Sequence, residues 1–426
     1  MMERRRVLAL RRFFIKGNFM TTASASAAPV ALRDDVRVMS LVGLAHAGSH
    51  FSHLLLPVMF PVFVREFGWS YAQLGLLSSV FFMVSGLGQA SSGFVVDKVG
   101  ARPVLLLSLG LFVLACLTAA MADSYPAMMA AAVLAGLGNC AFHPVDFSIL
   151  NQRVSSSRLG YAFSVHGLTG NLGWAAAPVF FALTTSDGHW RMGYVSAALM
   201  YTVILVLMYW QRGALQTRTS HMMTAPAVSA SVSPLAFMRH AVIWWCFAYF
   251  FLSTMTLAVV QNFSVPILQA MHQVTLEQAT MTLTGYMLCG AAGMLLGGFV
   301  AARMPGWSDR VVAICMSVAA VLMGLCASGW LGAQLSMVVL AATGFAIGVG
   351  SPSRDLMIKK ATPKGATGRV YGMVYSGLDA GFAVSPLIFG VLMDRGMPAA
   401  ALAGAAVVLL LSVLAAVGVG KRTSHA

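Results

Sequence analysis

Stretches of predominantly apolar residues recur along the whole chain, separated by short polar or Pro/Gly-rich connections. A helix of about 20 apolar residues matches the hydrocarbon thickness of a bilayer. The pattern predicts twelve transmembrane spans, at residues 36–62, 72–96, 103–122, 126–151, 159–185, 192–211, 239–265, 276–300, 309–329, 333–357, 368–393 and 397–420. The chain is therefore predicted to be an all-α membrane protein.

The longest polar gap, residues 212–238, divides the twelve spans six and six. The predicted organisation is a basic cytosolic N-terminal arm (1–35), an N-terminal six-helix bundle (36–211), a cytosolic central linker (212–238), a C-terminal six-helix bundle (239–420) and a cytosolic tail (421–426).

The two halves resemble each other at fixed offsets. An offset of 208 residues superposes Gly136 on Gly344, Gly160 on Gly368, Gly173 on Gly381, Gly188 on Gly396, Pro144 on Pro352 and Pro178 on Pro386. A related offset of 205 pairs Pro61 with Pro266, Ser70 with Thr275 and Gln73 with Gln278. Duplicated bundles are a common construction of secondary transporters. The repeat predicts two pseudo-symmetric six-helix bundles.

Composition agrees with a membrane protein, since 58% of residues are hydrophobic and 9% are charged. The net charge of +14 raises the possibility of a nucleic-acid partner. With the N-terminus inside, however, 24 of the 27 Lys and Arg residues fall on the cytosolic side, and Arg65, Arg191 and Arg395 lie outside. This positive-inside bias encodes topology. We expect a multi-pass protein of a bacterial-type inner membrane, with both termini cytoplasmic and no nucleic-acid partner.

The connection between spans 2 and 3 contains a recognisable motif. Its residues are Gly93, Asp97, Lys98, Gly100 and Arg102 in "GFVVDKVGARPVL". They resemble the G-x-x-x-D-[RK]-x-G-R/K signature of the major facilitator superfamily, which implies the twelve-span fold and a role of these residues in conformational change. We expect Gly93 to allow close helix packing, Asp97 to accept backbone N–H groups near a helix end, and the cations to lie among cytosolic headgroups.

A narrower resemblance is to the fosmidomycin-resistance-type transporters of that superfamily. It rests on "LPVMFP" and "FGWSYAQLGLL" around spans 1 and 2, "FHPVD" in span 4 and "GNLGWAAAP" in span 5. Two positions depart from the antiporter pattern: Ala177 replaces a glycine before Pro178, and Ala132 occupies the place of the span-4 arginine. The resemblance implies drug export, and the departures leave import of an organic acid open.

Ionisable groups inside a bilayer are costly and are functional candidates by default. Span 1 contains His46, His50 and His53 in "HAGSHFSH", at spacings of four and three residues. In a helix these spacings place three imidazoles within about 60° of one another. The resemblance implies that spans 1, 4, 7 and 10 line a central cavity. His143 in span 4 and His166 in span 5 are expected to belong to the same substrate or proton pathway.

Span 11 carries Asp379 close to the predicted midplane, and its repeat partner in span 5 is Asn171. We expect the acid and the amide to form a substrate or proton site, in which Asp379 is protonated reversibly.

The end of span 4 predicts a gate. Pro144 in "FHPVDF" must free a backbone carbonyl near His143 and Asp146. Asp146 corresponds to Arg354 of span 10, a reversed charge at what we expect to be the cytosolic ends of related helices. The hypothesis is that Asp146 pairs with Arg354 when that side closes. The alternative pairs join Asp355 to one of two cations, Arg153 or Arg158.

The sequence thus predicts a secondary active transporter of a small polar or anionic organic solute, coupled to protons through alternating access. We find no enzyme motif or ATPase domain and expect no catalytic residues, cofactor or resident metal, and a monomer embedded in lipid. Two alternatives stay open: a transition-metal permease that uses the span-1 histidines, and a non-transporting membrane receptor.

Overall fold

The computed structural model describes residues 32–185, 189–217, 236–361 and 367–423. Most of the predicted basic arm (1–31), part of the predicted linker (218–235) and the end of the predicted tail (424–426) lie outside the described residues. Gly188, one member of a repeat pair, also lies outside them.

The twelve predicted spans are confirmed as helices. Their bounds are Leu32–Ser52 with Phe60–Phe67 (span 1), Tyr71–Val99 (span 2), Ala101–Ala120 (span 3), Tyr125–Asn139 with Phe142–Arg153 (span 4), Leu159–Thr184 (span 5), Trp190–Trp210 (span 6), Ala241–His272 (span 7), Leu276–Arg303 (span 8), Ser308–Ala327 (span 9), Ala333–Ala361 (span 10), Thr367–Asp394 (span 11) and Pro398–Thr423 (span 12).

Length and composition suit eleven of the described spans for crossing a membrane. Span 5 is the exception, because its 26 residues include His166, Asn171 and Pro178 among the apolar side chains. It is nevertheless packed within the bundle against span 1 on one side and span 8 on the other. Its polar residues are therefore distributed along an internal helix.

Contacts within the two halves follow the same scheme. In the first half, span 1 packs on span 5, span 2 on span 4, and span 3 on spans 4 and 6. In the second half, span 7 packs on span 11, span 8 on span 10, and span 9 on spans 10 and 12. The halves meet through spans 2 and 11 and through spans 5 and 8. This arrangement confirms the predicted twelve-helix fold built from two related units.

The repeated glycines lie at equivalent helix crossings. A Cβ at Gly173 would collide with the carbonyl oxygen of Ala47, where span 5 crosses span 1. A Cβ at Gly381 would collide with that of Phe251, where span 11 crosses span 7. Gly136 and Gly344 form a second matched pair. A Cβ at either would collide with a backbone carbonyl oxygen, where span 4 crosses span 2 and where span 10 crosses span 8. Small residues permit such close backbone approach in membranes, which explains why glycine recurs at this offset.

Span 4 is interrupted before Pro144. In a continuous helix the carbonyl oxygen of Cys140 would accept the backbone N–H of residue 144, but proline has no N–H to donate. This oxygen instead accepts a hydrogen bond from Oγ of Ser92 in span 2 at 3.2 Å. The prediction of a freed carbonyl is therefore confirmed. The repeat partner Pro352 lies inside the continuous helix of span 10, so the interruption is specific to the first half.

The two halves are joined where span 2 begins and span 11 ends. The carboxylate of Asp394 accepts the backbone N–H groups of Tyr71 and Ala72 at 2.5 and 2.8 Å. Further along span 2, Oγ of Ser78 donates to Oδ1 of Asn262 in span 7 at 2.6 Å. These polar contacts hold one end of the molecule closed.

An aromatic contact between spans 2 and 11 lies next to these polar contacts, further along span 2. The rings of Phe82 in span 2 and Phe382 in span 11 are stacked with centroids 4.2 Å apart. Both side chains are buried. At the opposite end of the molecule Phe94 is 79% exposed, and a Cβ at Gly93 or Gly160 would meet nothing within 4 Å. We call the end with these contacts between the halves the closed end, and the end with Gly93 the open end.

Candidate functional site

The three histidines of span 1 lie in a row. The ring centroids of His46 and His50 are 4.5 Å apart, and those of His50 and His53 are 5.1 Å apart. The first helix of span 1 ends at Ser52, so the third histidine lies just beyond it. The structure therefore brings these three predicted residues together.

One of these side chains, one from span 4 and one from span 5 converge inside the first half. Nδ1 of His46 lies 2.9 Å from Oδ2 of Asp146, without the alignment of a hydrogen bond. Nε2 of His166 forms a hydrogen bond with the same oxygen at 3.1 Å. The two rings are stacked 3.5 Å apart, and all three residues are buried. We call His46, His50, His143, Asp146 and His166 the histidine cluster.

The electrostatics of the cluster are unusual. Among the described residues, no lysine or arginine forms an ion pair with Asp146, and its Oδ1 accepts no hydrogen bond. Nδ1 of His50 is also without a partner. An uncompensated carboxylate is costly in a low-dielectric interior. The cluster can therefore hold a proton or another cation, shared by several imidazoles and one carboxylate.

His53 is held differently from the other four histidines. The indole N–H of Trp174 donates to its Nδ1 at 3.2 Å, and its Nε2 lies 3.3 Å from Oδ1 of Asn139. Because Nδ1 accepts, the ring proton belongs on Nε2 and points to the amide. Asn139 also accepts from Ser49 and donates to Ser85. This arrangement favours a neutral, structural role for His53.

Asp379 joins the first half through an amide. Nε2 of Gln89 in span 2 donates to Oδ2 of Asp379 at 3.2 Å, and Oε1 of the same amide lies 2.9 Å from Nδ1 of His143. Asp379 approaches span 2 at Gly86, where an added Cβ would lie 2.9 Å from the Cβ of Asp379. The acid of span 11 and the histidine of span 4 are thus connected across the interface between the halves.

Asn171 does not contact Asp379 in this conformation. Its Nδ2 donates to the carbonyl oxygen of Gly167 at 3.1 Å and lies 3.9 Å from the sulfur of Met294 in span 8. Met294 stands 205 residues after Gln89, the second repeat offset. Asn171 and Asp379 are equivalent positions of the two halves, and so are Gln89 and Met294. The contact of Asn171 with Met294 therefore corresponds to that of Asp379 with Gln89. The first contact is weakly polar, and the second involves a carboxylate.

The predicted gate pairs are not made in this conformation. Asp146 is fully buried within the first half, in the second helix of span 4, where His46 of span 1 and His166 of span 5 contact its carboxylate. Arg354 donates to Asp355 at 2.9 Å, and Arg158 pairs with Asp35. The pairing of Asp146 with Arg354 when that side closes stays a prediction.

The residues of the signature lie at the open end. A Cβ at Gly93 would meet nothing within 4 Å, and Asp97, which is exposed, accepts no hydrogen bond from any described residue. In this conformation neither residue makes the expected contact, close packing for Gly93 and helix capping for Asp97. Gly100 has φ of 87° at the turn between spans 2 and 3, a conformation that favours glycine. Lys98 is exposed, and Arg102 lies 3.5 Å from Oε1 of Gln216.

Three residues of the site were missed by the sequence analysis: Gln89, Asn139 and Trp174. The predicted site contained ionisable side chains and one amide, Asn171. Gln89 and Asn139 are nevertheless amides inside otherwise apolar stretches, and a polar side chain in a span is itself a signal because it must find a partner. Trp174 carries no comparable signal, since tryptophan is common in membrane helices.

Comparisons with known sequences agree with the twelve-helix architecture. The profile described as Major Facilitator Superfamily matches residues 42–307 and 252–425. The uncharacterized MFS-type transporter YfnC of Bacillus subtilis is 24% identical over 280 residues, 62% of this chain and 65% of that protein. The fosmidomycin resistance protein of Escherichia coli is 27% identical over 185 residues, 43% of this chain and 45% of that protein. Each match spans less than two thirds of the relative's length.

Solved structures with the same fold are transporters. A bacterial homologue of the human lysosomal transporter Spinster, inward-facing and unoccupied, superposes with a TM-score of 0.69 at 13% identity, covering 92% of this chain and 97% of that one. A POT family transporter in complex with a thioalcohol conjugated peptide superposes with a TM-score of 0.72 at 12% identity, covering 91% and 96%. At this level of identity the likeness concerns the fold alone.

Proposed function

Because the chain belongs to the major facilitator superfamily and is a membrane transporter, we propose that it moves a small polar or anionic organic solute by proton-coupled alternating access. The observation that carries the proposal is the contact of Asp379 in one half with Gln89 and, through it, with His143 in the other. A group that binds protons at the interface of two moving bundles can link its protonation to their movement.

The two ends of the molecule support alternating access. With the N-terminus in the cytosol, the closed end with Asp394 and the Phe82–Phe382 stack faces outward, and the end with Gly93 faces the cytosol. The conformation is then inward-facing. Rocking of the bundles must break the contacts of Asp394 and form new ones near Gly93 and Asp97, where the signature lies.

The nature of the solute follows from chemistry and from relatives. Imidazole, amide and indole groups around the site suit a polar or anionic molecule. Other relatives are named as a probable 4-methylmuconolactone transporter of Cupriavidus pinatubonensis and a probable L-galactonate transporter of Escherichia coli. We therefore propose either a drug, exported as fosmidomycin resistance implies, or an organic acid as the solute.

The test is a thermal-stability screen of the purified protein over organic anions and antibiotics, followed by flux in vesicles. A solute that stabilises the protein is expected to accumulate when a pH gradient is imposed and to exchange without one. Vesicles lacking the protein and vesicles treated with a proton ionophore serve as controls. Accumulation that persists after the gradient is collapsed would contradict proton coupling.

One observation favours transport of a transition-metal ion as a second candidate function. The ligand atoms of His46, Asp146 and His166 lie within 4.8 Å of one another, and so do those of His46, His50 and His143. Nitrogen ligands with one carboxylate suit Zn²⁺, Ni²⁺ or Co²⁺. If this function is correct, Co²⁺ added to the purified protein gives visible absorption of a tetrahedral site.

The absorption is expected to be lost in His46→Ala, which removes a ligand from both groups, and retained in His53→Ala. Equal absorption in the two variants would assign Co²⁺ to other residues and reject the metal site.

A further inference from the structure

The amide of Gln89 has one donor side and one acceptor side, and each faces a titratable residue. Its Oε1 lies 2.9 Å from Nδ1 of His143, and its Nε2 donates to Oδ2 of Asp379 at 3.2 Å. An amide oxygen cannot donate and an amide NH₂ cannot accept. In this arrangement His143 must therefore carry its proton on Nδ1, and the facing oxygen of Asp379 must be bare.

Rotation of the amide by half a turn reverses both requirements. The NH₂ group then faces His143, whose Nδ1 must be bare, and the oxygen faces Asp379, whose carboxyl must donate an O–H. A proton at one end of the amide thus excludes a proton at the other. The proton count of His143 changes when it is an imidazolium in the first arrangement: it then loses the Nδ1 proton to its neighbours and keeps the one on Nε2. Asp379 takes its proton from water, and the amide itself carries none.

Those neighbours are the rest of the histidine cluster. The ring of His143 lies 5.7 Å from that of His46 and 6.3 Å from that of His166. Both of these imidazoles contact Asp146, and His46 also faces His50. On the other side, Asp379 packs against Gly86 and Gln89 of span 2. Among the described residues, the amide of Gln89 therefore links the cluster in the first half to Asp379 in the second through hydrogen bonds.

We propose that Gln89 links proton binding by the histidine cluster to proton binding by Asp379, so that the two halves exchange one proton equivalent during transport. The proposal rests on the proposed proton-coupled function and names its coupling residue. Gln89 is a positioning residue, because it acts through the groups at its two ends. It explains why an amide occupies a position where the equivalent residue of the second half is Met294.

The first measurement needs no transport. Infrared spectra of the purified protein are recorded over a pH series. The carboxyl band of Asp379 is identified as the band that is absent from the spectrum of Asp379→Asn. His143→Phe is expected to move the pH midpoint of this band while Gln89 is present, and to leave it unmoved in the Gln89→Met background. An equal shift in both backgrounds, or no shift while Gln89 is present, would overturn the link.

The second measurement follows solute flux in vesicles. Gln89→Met keeps the length of the side chain and removes both hydrogen bonds, so gradient-driven accumulation is expected to fall about tenfold or more while solute exchange persists. Gln89→Glu restores a donor and an acceptor only when it is protonated, and is expected to work at acidic and not at alkaline pH. The control is Ser91→Ala, at an exposed position of the same helix, where the hydroxyl donates to the carbonyl oxygen of Gly88.

A merely structural role predicts that the glutamate variant has the same pH profile as the wild type, which would reject the proposal. Absence of solute exchange in the wild type would reject the proposed function instead, and the infrared result would still decide on the bridge.

Discussion

Asp379→Asn is expected to abolish solute accumulation driven by a pH gradient while leaving solute exchange at equal pH intact. Asparagine keeps the size of the side chain and an oxygen that accepts from Nε2 of Gln89, so the contact between the halves survives. It cannot bind or release a proton, so a gradient has nothing to act on at this position. Accumulation should fall to the level of vesicles without the protein.

The matched control is Asp123→Asn, which neutralises an exposed carboxylate between spans 3 and 4. It is expected to transport like the wild type. The exchange rate of the wild type should depend on pH, and that of Asp379→Asn should depend on it much less. Accumulation that survives Asp379→Asn would remove this residue from the coupling mechanism.

A disulfide bond across the closed end is expected to stop transport completely and reversibly. A Cβ at Gly390 would lie 2.7 Å from the carbonyl oxygen of Tyr71 and 3.0 Å from Cα of Ala72, so a cysteine at position 390 must displace span 2 slightly, and it remains within disulfide reach of a cysteine at position 72. The bond joins span 11 to span 2 and prevents the separation that alternating access requires. Oxidation of Ala72→Cys/Gly390→Cys should reduce solute exchange to background, and dithiothreitol should restore it.

The control is a disulfide at the same end within one half. A Cβ at Gly193 of span 6 would meet the side chain of Thr185, so Thr185→Cys/Gly193→Cys crosslinks two neighbours that move together. This pair should leave exchange unchanged. A receptor without alternating access would bind its ligand under both crosslinks and show no solute exchange in any state. Full solute exchange by the oxidised Ala72→Cys/Gly390→Cys variant would contradict a transport cycle that requires spans 2 and 11 to separate at this end.

The spans and the repeat could be predicted from the sequence because they depend on local periodicity. The matched glycines illustrate this, since Gly173 and Gly381 each allow a helix to contact a backbone carbonyl. Such a requirement acts on one position at a time and leaves a trace in the sequence. The row of imidazoles in span 1 was predictable for the same reason, because its spacing is set by one helix.

The partners of the buried charges could not be predicted in this way. Asp146 contacts residues of spans 1 and 5 because span 4 is interrupted at Cys140, and the offset that paired it with Arg354 assumed equivalent helices. The contact of Asp379 with Gln89 joins residues 290 positions apart. Such pairs depend on how the halves are docked, which changes with conformation.

The docking also revises the view of two separate sites. The sequence predicted a group of histidines in the first half and one acid near the midplane, Asp379, in the second. Span 7 has no histidine at the positions that correspond to those of span 1. The structure connects these two parts through one amide. The asymmetry between the halves is therefore concentrated at Gln89 and its counterpart Met294.

The carboxylate of Asp394 at the start of span 2 has a kinetic consequence. A negative charge that accepts the first N–H groups of a helix contributes about 0.3–1 kcal/mol where the carboxylate is exposed, as that of Asp394 is, which corresponds to a ratio of up to about 5 between two orientations. In the proposed transport cycle, a carrier biased in this way rests with its open end toward the cytosol. The proposal then predicts that the solute concentration on that side governs how often a cycle begins, and that release of Asp394 slows the return step.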